Sequence, residues 1–91
     1  MYYNDEEYEI IGVTATYTED IHDVNDVCRL TYVDIEYGND VPDYMKSTLE
    51  THILNAFAED EYYTEDAGWK KEAKDDIAEY TGAEYVEVEL E

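Results

Sequence analysis

Negative charge is the feature that most constrains how this chain can fold. Of its 91 residues, 26 are Asp or Glu and only five are Lys or Arg, which gives a formal net charge of −21. Charges at this density repel one another and oppose compaction. A folded state therefore has to place the acids on its surface and build its core from the remaining apolar residues.

The rest of the composition predicts that the chain folds despite this repulsion. Acidic disordered segments are poor in aromatic and β-branched residues. This chain instead has 11 Tyr, one Trp and one Phe, many Val and Ile, and a single Pro. Its length fits one domain, residues 1–91, with one hydrophobic core.

The apolar pattern predicts three strands. Residues 1–7 are polar, and we expect them to be frayed. Tyr8–Thr18, Val27–Tyr37 and Ala83–Leu90 alternate apolar and polar side chains, which is typical of strands with one solvated face. Gly12 interrupts the first alternation and indicates a β-bulge. The first two strands, which are neighbours in sequence, should form an antiparallel hairpin.

Between the second and third strands the apolar spacing becomes helical. One helix should run from about Val41 to Ala58 with Pro42 in its first turn, and a second from a Thr64 cap to a terminal Gly82. The order ββααβ predicts a small α+β domain with a three-stranded, mostly antiparallel sheet and two helices packed on one face. Three tyrosines fall on apolar stripes and are assigned to the core: Tyr17, Tyr37 and Tyr80.

The chain offers little for catalysis or for binding a cofactor. It has one Ser, one Cys and two His, and a carboxylate pair needs a cleft to acquire useful pKa values. The lone Cys28 excludes an internal disulfide and a Cys-based zinc site. The acidic loop Glu19–Asp26 lacks the glycine-containing pattern of a calcium loop. The sequence predicts no enzyme, no cofactor and no metal.

The charge also limits the partners. Nucleic-acid binding depends on Lys and Arg that neutralise phosphates, and anionic lipids repel an acidic surface. No apolar run approaches the roughly 18 residues of a membrane span, and the acidic N-terminus lacks the positive region of a signal peptide. We expect a monomeric cytoplasmic protein, in the host cell if phage-encoded, that binds a basic protein and neither nucleic acid nor membrane directly.

The net charge is comparable to that of nucleic acid of the same size. A folded chain of this length should be about 30 Å across, and its 21 net charges correspond to about 36 Å of DNA duplex. This composition and size resemble the phage-encoded antirestriction, glycosylase-inhibitor and anti-CRISPR proteins as a class. The resemblance implies a DNA mimic that blocks the basic nucleic-acid-binding groove of a CRISPR nuclease, restriction enzyme, glycosylase or nucleoid protein.

Two functions other than mimicry would also account for the large negative charge. A halophile-adapted domain uses an acidic surface for solubility in high salt, and an acidic chaperone or adaptor binds basic proteins broadly. The clustering of acids beside tyrosines that should be exposed favours the mimic.

Seven residues are predicted to contact the partner. Outward side chains on a strand repeat at about 6.6 Å, which is close to the separation of successive phosphates along a nucleic-acid strand, roughly 6–7 Å. Tyrosine is a favoured interface residue. The predicted phosphate surrogates are Asp34, Glu36, Glu87 and Glu89, and the predicted anchors are Tyr62, Tyr63 and Tyr85. The side of the second helix that bears Lys70, Lys71 and Lys74 should be the back of the molecule.

Overall fold

The computed structural model describes residues 1–20 and 26–91. Most of the predicted acidic loop Glu19–Asp26 therefore lies outside the described residues. The described elements, in chain order, are β1 (Tyr2–Tyr3), β2 (Glu6–Glu7), β3 (Ile10–Glu19), β4 (Val27–Tyr37), α1 (Asp43–Ala56), β5 (Tyr62–Tyr63), α2 (Trp69–Thr81) and β6 (Tyr85–Leu90).

The main sheet is mixed and has one strand more than predicted. In the described residues its strand order is β5-β4-β3-β6. β3 and β4 form the expected antiparallel hairpin, and β5 adds to the far edge of β4, also antiparallel. β6 pairs with β3 in parallel, because the segment from α1 to α2 carries the chain back to the end at which β3 began. The α+β class is confirmed, whereas the predicted three-stranded, mostly antiparallel sheet differs in detail, because the observed sheet has four strands and is mixed.

One apolar core lies between one face of this sheet and both helices. The inward side chains of β3 alternate as predicted, and Gly12 lies at the predicted irregularity, where the β3–β4 register shifts. The largest of the fully buried side chains come from β3, β4 and the two helices: Val13, Tyr17, Val27, Cys28, Val33, Leu49, Ile53, Ile77 and Thr81. Because α1 and α2 contribute to the same cluster, the opposite face of the sheet is left without a helix.

The helices begin later than predicted. Pro42 is the N-cap of α1, which ends at Ala56. α2 begins only at Trp69, since Thr64 is engaged elsewhere: its hydroxyl donates to the Asp26 carbonyl at 2.8 Å. The expected end of α2 is confirmed, with Gly82 in the left-handed conformation (φ 72°) that favours glycine.

The N-terminal segment, which the sequence suggested would be frayed, forms a small hairpin in the structure. β1 and β2 pair antiparallel around Asn4 and Asp5, whose φ values are 50° and 65°. Asn and Asp tolerate this left-handed conformation better than other residues with a side chain, which allows a two-residue hairpin turn. The Met1 ammonium also donates to the Tyr8 carbonyl at 2.9 Å, which ties the chain end to the start of β3.

The molecule is elongated, with principal extents of 42 × 22 × 20 Å.

Neither described helix has the length and apolar character that crossing a membrane requires.

Candidate functional site

The helix-free side of the main sheet, which we call the open face, gathers most of the predicted site residues. Three adjacent strands contribute its outward positions: Tyr32, Asp34 and Glu36 from β4, Gly12, Thr14 and Thr16 from β3, and Tyr85, Glu87 and Glu89 from β6. They point away from the core because inward residues alternate with them at every second position.

Strand register aligns these residues in three rows. Gly12 pairs with Glu36 on one side and Tyr85 on the other. Thr14 lies between Asp34 and Glu87 in the next row. In the third row, Thr16 lies between Tyr32 and Glu89. Each row therefore has a small residue at its centre and an acid or a tyrosine on both sides.

The acids of the open face form two columns separated by β3. Asp34 and Glu36 are on β4, and Glu87 and Glu89 are on β6. Within a column the carboxylates repeat at about 6.6 Å, and the columns are two strand spacings apart, about 9.5 Å. All four carboxylates are exposed. Threonine in the middle keeps the surface polar without adding charge.

The lysines of the chain are all on helices. Every lysine is in the part of the chain that the structure describes, and every one is on a helix: Lys46 on α1 and Lys70, Lys71 and Lys74 on α2. Lys71 is paired with Asp75 at 2.9 Å, and Lys46 with Asp43 at 3.7 Å. The two helices thus carry all four lysines, and the outward positions of β3, β4 and β6 carry none.

Arg29, the only arginine, is held by acids at the β5 edge of the sheet. Its guanidinium contacts the carboxylates of Asp20, at 3.2 Å, and Glu61. The hydrogen bond to Glu61 is the largest cause that raises its pKa above the ordinary value. Arg29 is therefore engaged within the fold.

Tyr85 bridges the first row. Its hydroxyl donates to the Glu36 carboxylate, so the side chain reaches from β6 across β3 to β4. This hydrogen bond, followed by partial burial, raises the pKa of Tyr85. The crossing is possible because Gly12 has no side chain: a Cβ there would overlap the tyrosine ring.

The other two predicted anchors do not join the open face. Tyr62 and Tyr63 form β5, which lies beyond β4 at the edge of the sheet. Tyr63 is exposed, but Tyr62 is only 7% exposed, and its hydroxyl donates to Asp76 of α2 at 2.7 Å. The predicted exposure of Tyr62 is wrong, because the ring fills the space beside Trp69 and Tyr17.

The core assignment of the other tyrosines is correct only in part. Tyr17 is 1% exposed, whereas Tyr37 is half-buried and Tyr80 is exposed at the helix surface. The Tyr80 hydroxyl shares a 2.8 Å hydrogen bond with His52 Nε2. That contact draws the tyrosine toward α1 and out of the core.

Sequence reasoning missed Tyr32 and the threonine column. Tyr32 is 58% exposed on the open face, and it precedes Asp34 by two positions, so the alternation already placed it there. The role of Thr14 and Thr16 between the columns depends on β6 joining β3, which the alternation alone does not specify. Within residues 1–20 and 26–91, no group of three or more His, Cys, Asp or Glu is arranged to hold a metal ion.

No protein-family model, curated protein or solved structure matches this chain.

Proposed function

We propose that the protein is a nucleic-acid mimic that occupies the basic groove of a nucleic-acid-binding protein or nuclease and competes with its substrate. The observation that carries this proposal is the open face, which presents two carboxylate columns on one sheet, whereas every lysine is on a helix. A CRISPR nuclease, a restriction enzyme, a glycosylase and a nucleoid protein each bind nucleic acid through such a basic groove.

The spacing of the carboxylates supports this proposal. Each column repeats at about 6.6 Å, close to the roughly 6–7 Å between successive phosphates. A set of Lys and Arg side chains placed to contact consecutive phosphates could therefore contact Asp34 and Glu36, or Glu87 and Glu89, at a similar separation.

The overall charge and length agree with the same proposal. The long axis measures 42 Å, and a duplex of that length carries about 25 negative charges. The chain carries a net charge of −21. A surface of this charge steers a basic partner into rapid, salt-sensitive association.

Tyrosine hydroxyls provide a way to hold carboxylates in place without neutralising them. Four tyrosines donate to an acid in the described residues, in the pairs Tyr2–Glu7, Tyr8–Glu6, Tyr62–Asp76 and Tyr85–Glu36. A lysine or arginine in these positions would also orient the carboxylate but would cancel its charge. The hydroxyl keeps the negative charge and limits the side-chain entropy lost on binding.

Affinity capture with matched charge variants tests the proposal. The tagged wild-type protein, the open-face variant D34N/E36Q/E87Q/E89Q and the helix-side variant E59Q/E65Q/E72Q/E79Q are incubated with bacterial lysate and washed at low and at moderate salt. Both variants lose four negative charges from exposed acids. Captured proteins are identified by mass spectrometry, and a short DNA duplex is then added as competitor.

A mimic and a generally acidic surface predict different outcomes of this experiment. A mimic retains one dominant nucleic-acid-binding protein, duplex DNA displaces it, and the open-face variant weakens its binding by about tenfold or more while the helix-side variant changes it little. A broad set of basic proteins that both variants release equally would contradict the proposal and indicate an acidic chaperone or a halophilic surface.

A further inference from the structure

Among the described residues, Tyr85 is the large aromatic residue whose ring lies between the two carboxylate columns. It pairs with Gly12 from β6 and reaches Glu36 on β4, so its ring lies across the central strand. The side chain nevertheless remains 47% exposed. The ring is thus fixed at one end by its hydroxyl and open to a partner above the sheet.

Carboxylates flank this ring on both strands. On β4, the Glu36 carboxylate accepts the hydrogen bond of the Tyr85 hydroxyl, and on β6, Glu87 is the next outward residue. Both carboxylates contribute to the raised pKa of Tyr85, as expected for negative charge close to the phenol. A cation bound over the ring would contact the aromatic surface and the carboxylates together.

Arginine fits this arrangement better than lysine. A guanidinium is planar, stacks on aromatic rings and presents several N–H donors in a fixed fork that matches carboxylates. An ammonium is a compact, strongly hydrated charge that gains less from the ring. A surface of carboxylates alone would attract both cations chiefly through their charge.

We propose that Tyr85, Glu36 and Glu87 form a subsite for an arginine side chain of the basic partner. The guanidinium stacks on the Tyr85 ring and donates to the two carboxylates. The subsite rests on the proposed function, because it lies within the open face, and it adds a chemical selectivity that charge alone does not supply.

The test compares fluorescently labelled hexa-arginine and hexa-lysine peptides, which carry equal charge. Their affinities for the 91-residue chain are measured by fluorescence anisotropy at one fixed ionic strength, for the wild type, Y85L, Y85F and Y2L. Tyr2 is the matched control, because it is also exposed and also donates to a carboxylate, that of Glu7, but lies on the N-terminal hairpin. Circular dichroism establishes that each variant is folded.

The arginine-to-lysine affinity ratio is the informative quantity. We expect Y85L to lower it by about fivefold, Y2L to leave it unchanged, and Y85F, which keeps the ring, to retain most of it. If Y85L and Y2L give the same ratio as the wild type, the arginine subsite is overturned.

Amide chemical-shift mapping separates this failure from failure of the proposed function. Peptides that shift the amides of Gly12, Glu36 and Tyr85 without any Tyr85-dependent preference would overturn the subsite alone. Peptides that shift α1 or α2 amides and leave the open face unchanged would contradict both proposals.

Discussion

The rings of Tyr17 and Tyr62 meet edge to face with their centroids 5.6 Å apart, but their hydroxyls differ in hydrogen bonding. Tyr62 donates to Asp76 at 2.7 Å. Tyr17, 1% exposed, has a buried hydroxyl with no hydrogen-bond partner among the residues that the structure describes. An unpartnered buried hydroxyl costs free energy that a phenylalanine would not.

The same substitution should therefore have opposite effects at these two positions. We expect Y17F to raise the free energy of unfolding by about 1 kcal/mol, because it removes the unpaired hydroxyl and keeps the ring contacts. Y62F should lower it by about 1 kcal/mol, because the hydrogen bond to Asp76 is lost. Urea denaturation followed by the fluorescence of Trp69, the single tryptophan, measures both. A loss of stability in Y17F would indicate that its hydroxyl has a partner.

Buried tyrosines also predict loss of stability in alkali. Burial raises the pKa of Tyr17 and of Tyr62, the latter also through its hydrogen bond to Asp76, and raises the pKa of Tyr37 to about 12. The folded state thus keeps phenol protons that the unfolded chain releases near the ordinary pKa of about 10. Their contribution to stability is complete below about pH 10 and falls progressively as the pH rises above that value.

Urea denaturation between about pH 8 and pH 11 measures this dependence. The free energy of unfolding should fall above about pH 10, and Y17F should reduce the slope there by up to about 1.4 kcal/mol per pH unit, the value for one proton. An unchanged slope in Y17F would show that Tyr17 ionises equally easily in both states.

Gly12 and Tyr85 should be energetically coupled. A methyl group at Gly12 would overlap the Tyr85 ring, so G12A should lower the free energy of unfolding by about 1–3 kcal/mol in the wild type. In a Y85A background the space is free, and G12A should be close to neutral or slightly stabilising. A double-mutant cycle gives the coupling free energy. A value near zero would mean that the ring does not lie over Gly12.

Arg29 should contribute more to stability than an ordinary surface cation. It is paired with both Asp20 and Glu61 and is partly shielded, with a side chain 40% exposed. R29Q should lower the free energy of unfolding at low salt, because two nearby acids lose their shared cation. High salt should reduce this loss by screening.

The control for R29Q is K71Q. Lys71 forms a single ion pair with Asp75 on the exposed face of α2, and its loss should cost less than about 0.5 kcal/mol. Equal effects of the two substitutions in urea denaturation would contradict a special role for Arg29.

Local alternation was sufficient to predict much of the candidate site. β4 runs from Val27 to Tyr37 with the predicted bounds. Asp34, Glu36, Glu87 and Glu89 are all outward as expected, because successive side chains of a strand point to opposite faces wherever that strand is placed. The helical spacing likewise identified both helices, although not the residues at which they begin.

Contacts between distant segments decided the rest. Tyr62 and Tyr63 are adjacent on β5, so their side chains point to opposite faces of the sheet. The pairing of β5 with Val27 and Cys28 of β4 directs Tyr62 inward, where its ring contacts Trp69. Nothing in the local sequence distinguishes the two tyrosines. The N-terminal hairpin was missed for a related reason, since its two short strands are stabilised by contacts such as that of Tyr3 with His52 on α1.

The sequence by itself determined the large negative charge, the α+β class and the outward direction of the acids on β4 and β6, since each follows from composition or from a local period. Only the tertiary structure decided that these acids share one face. From the sequence, β6 could have lain at either edge of the β3–β4 hairpin or between its two strands. Its parallel pairing with β3 brought Glu87 and Tyr85 into rows with Asp34 and Glu36, respectively. Strand partners are chosen by the burial of the whole core, a free energy that no single segment encodes.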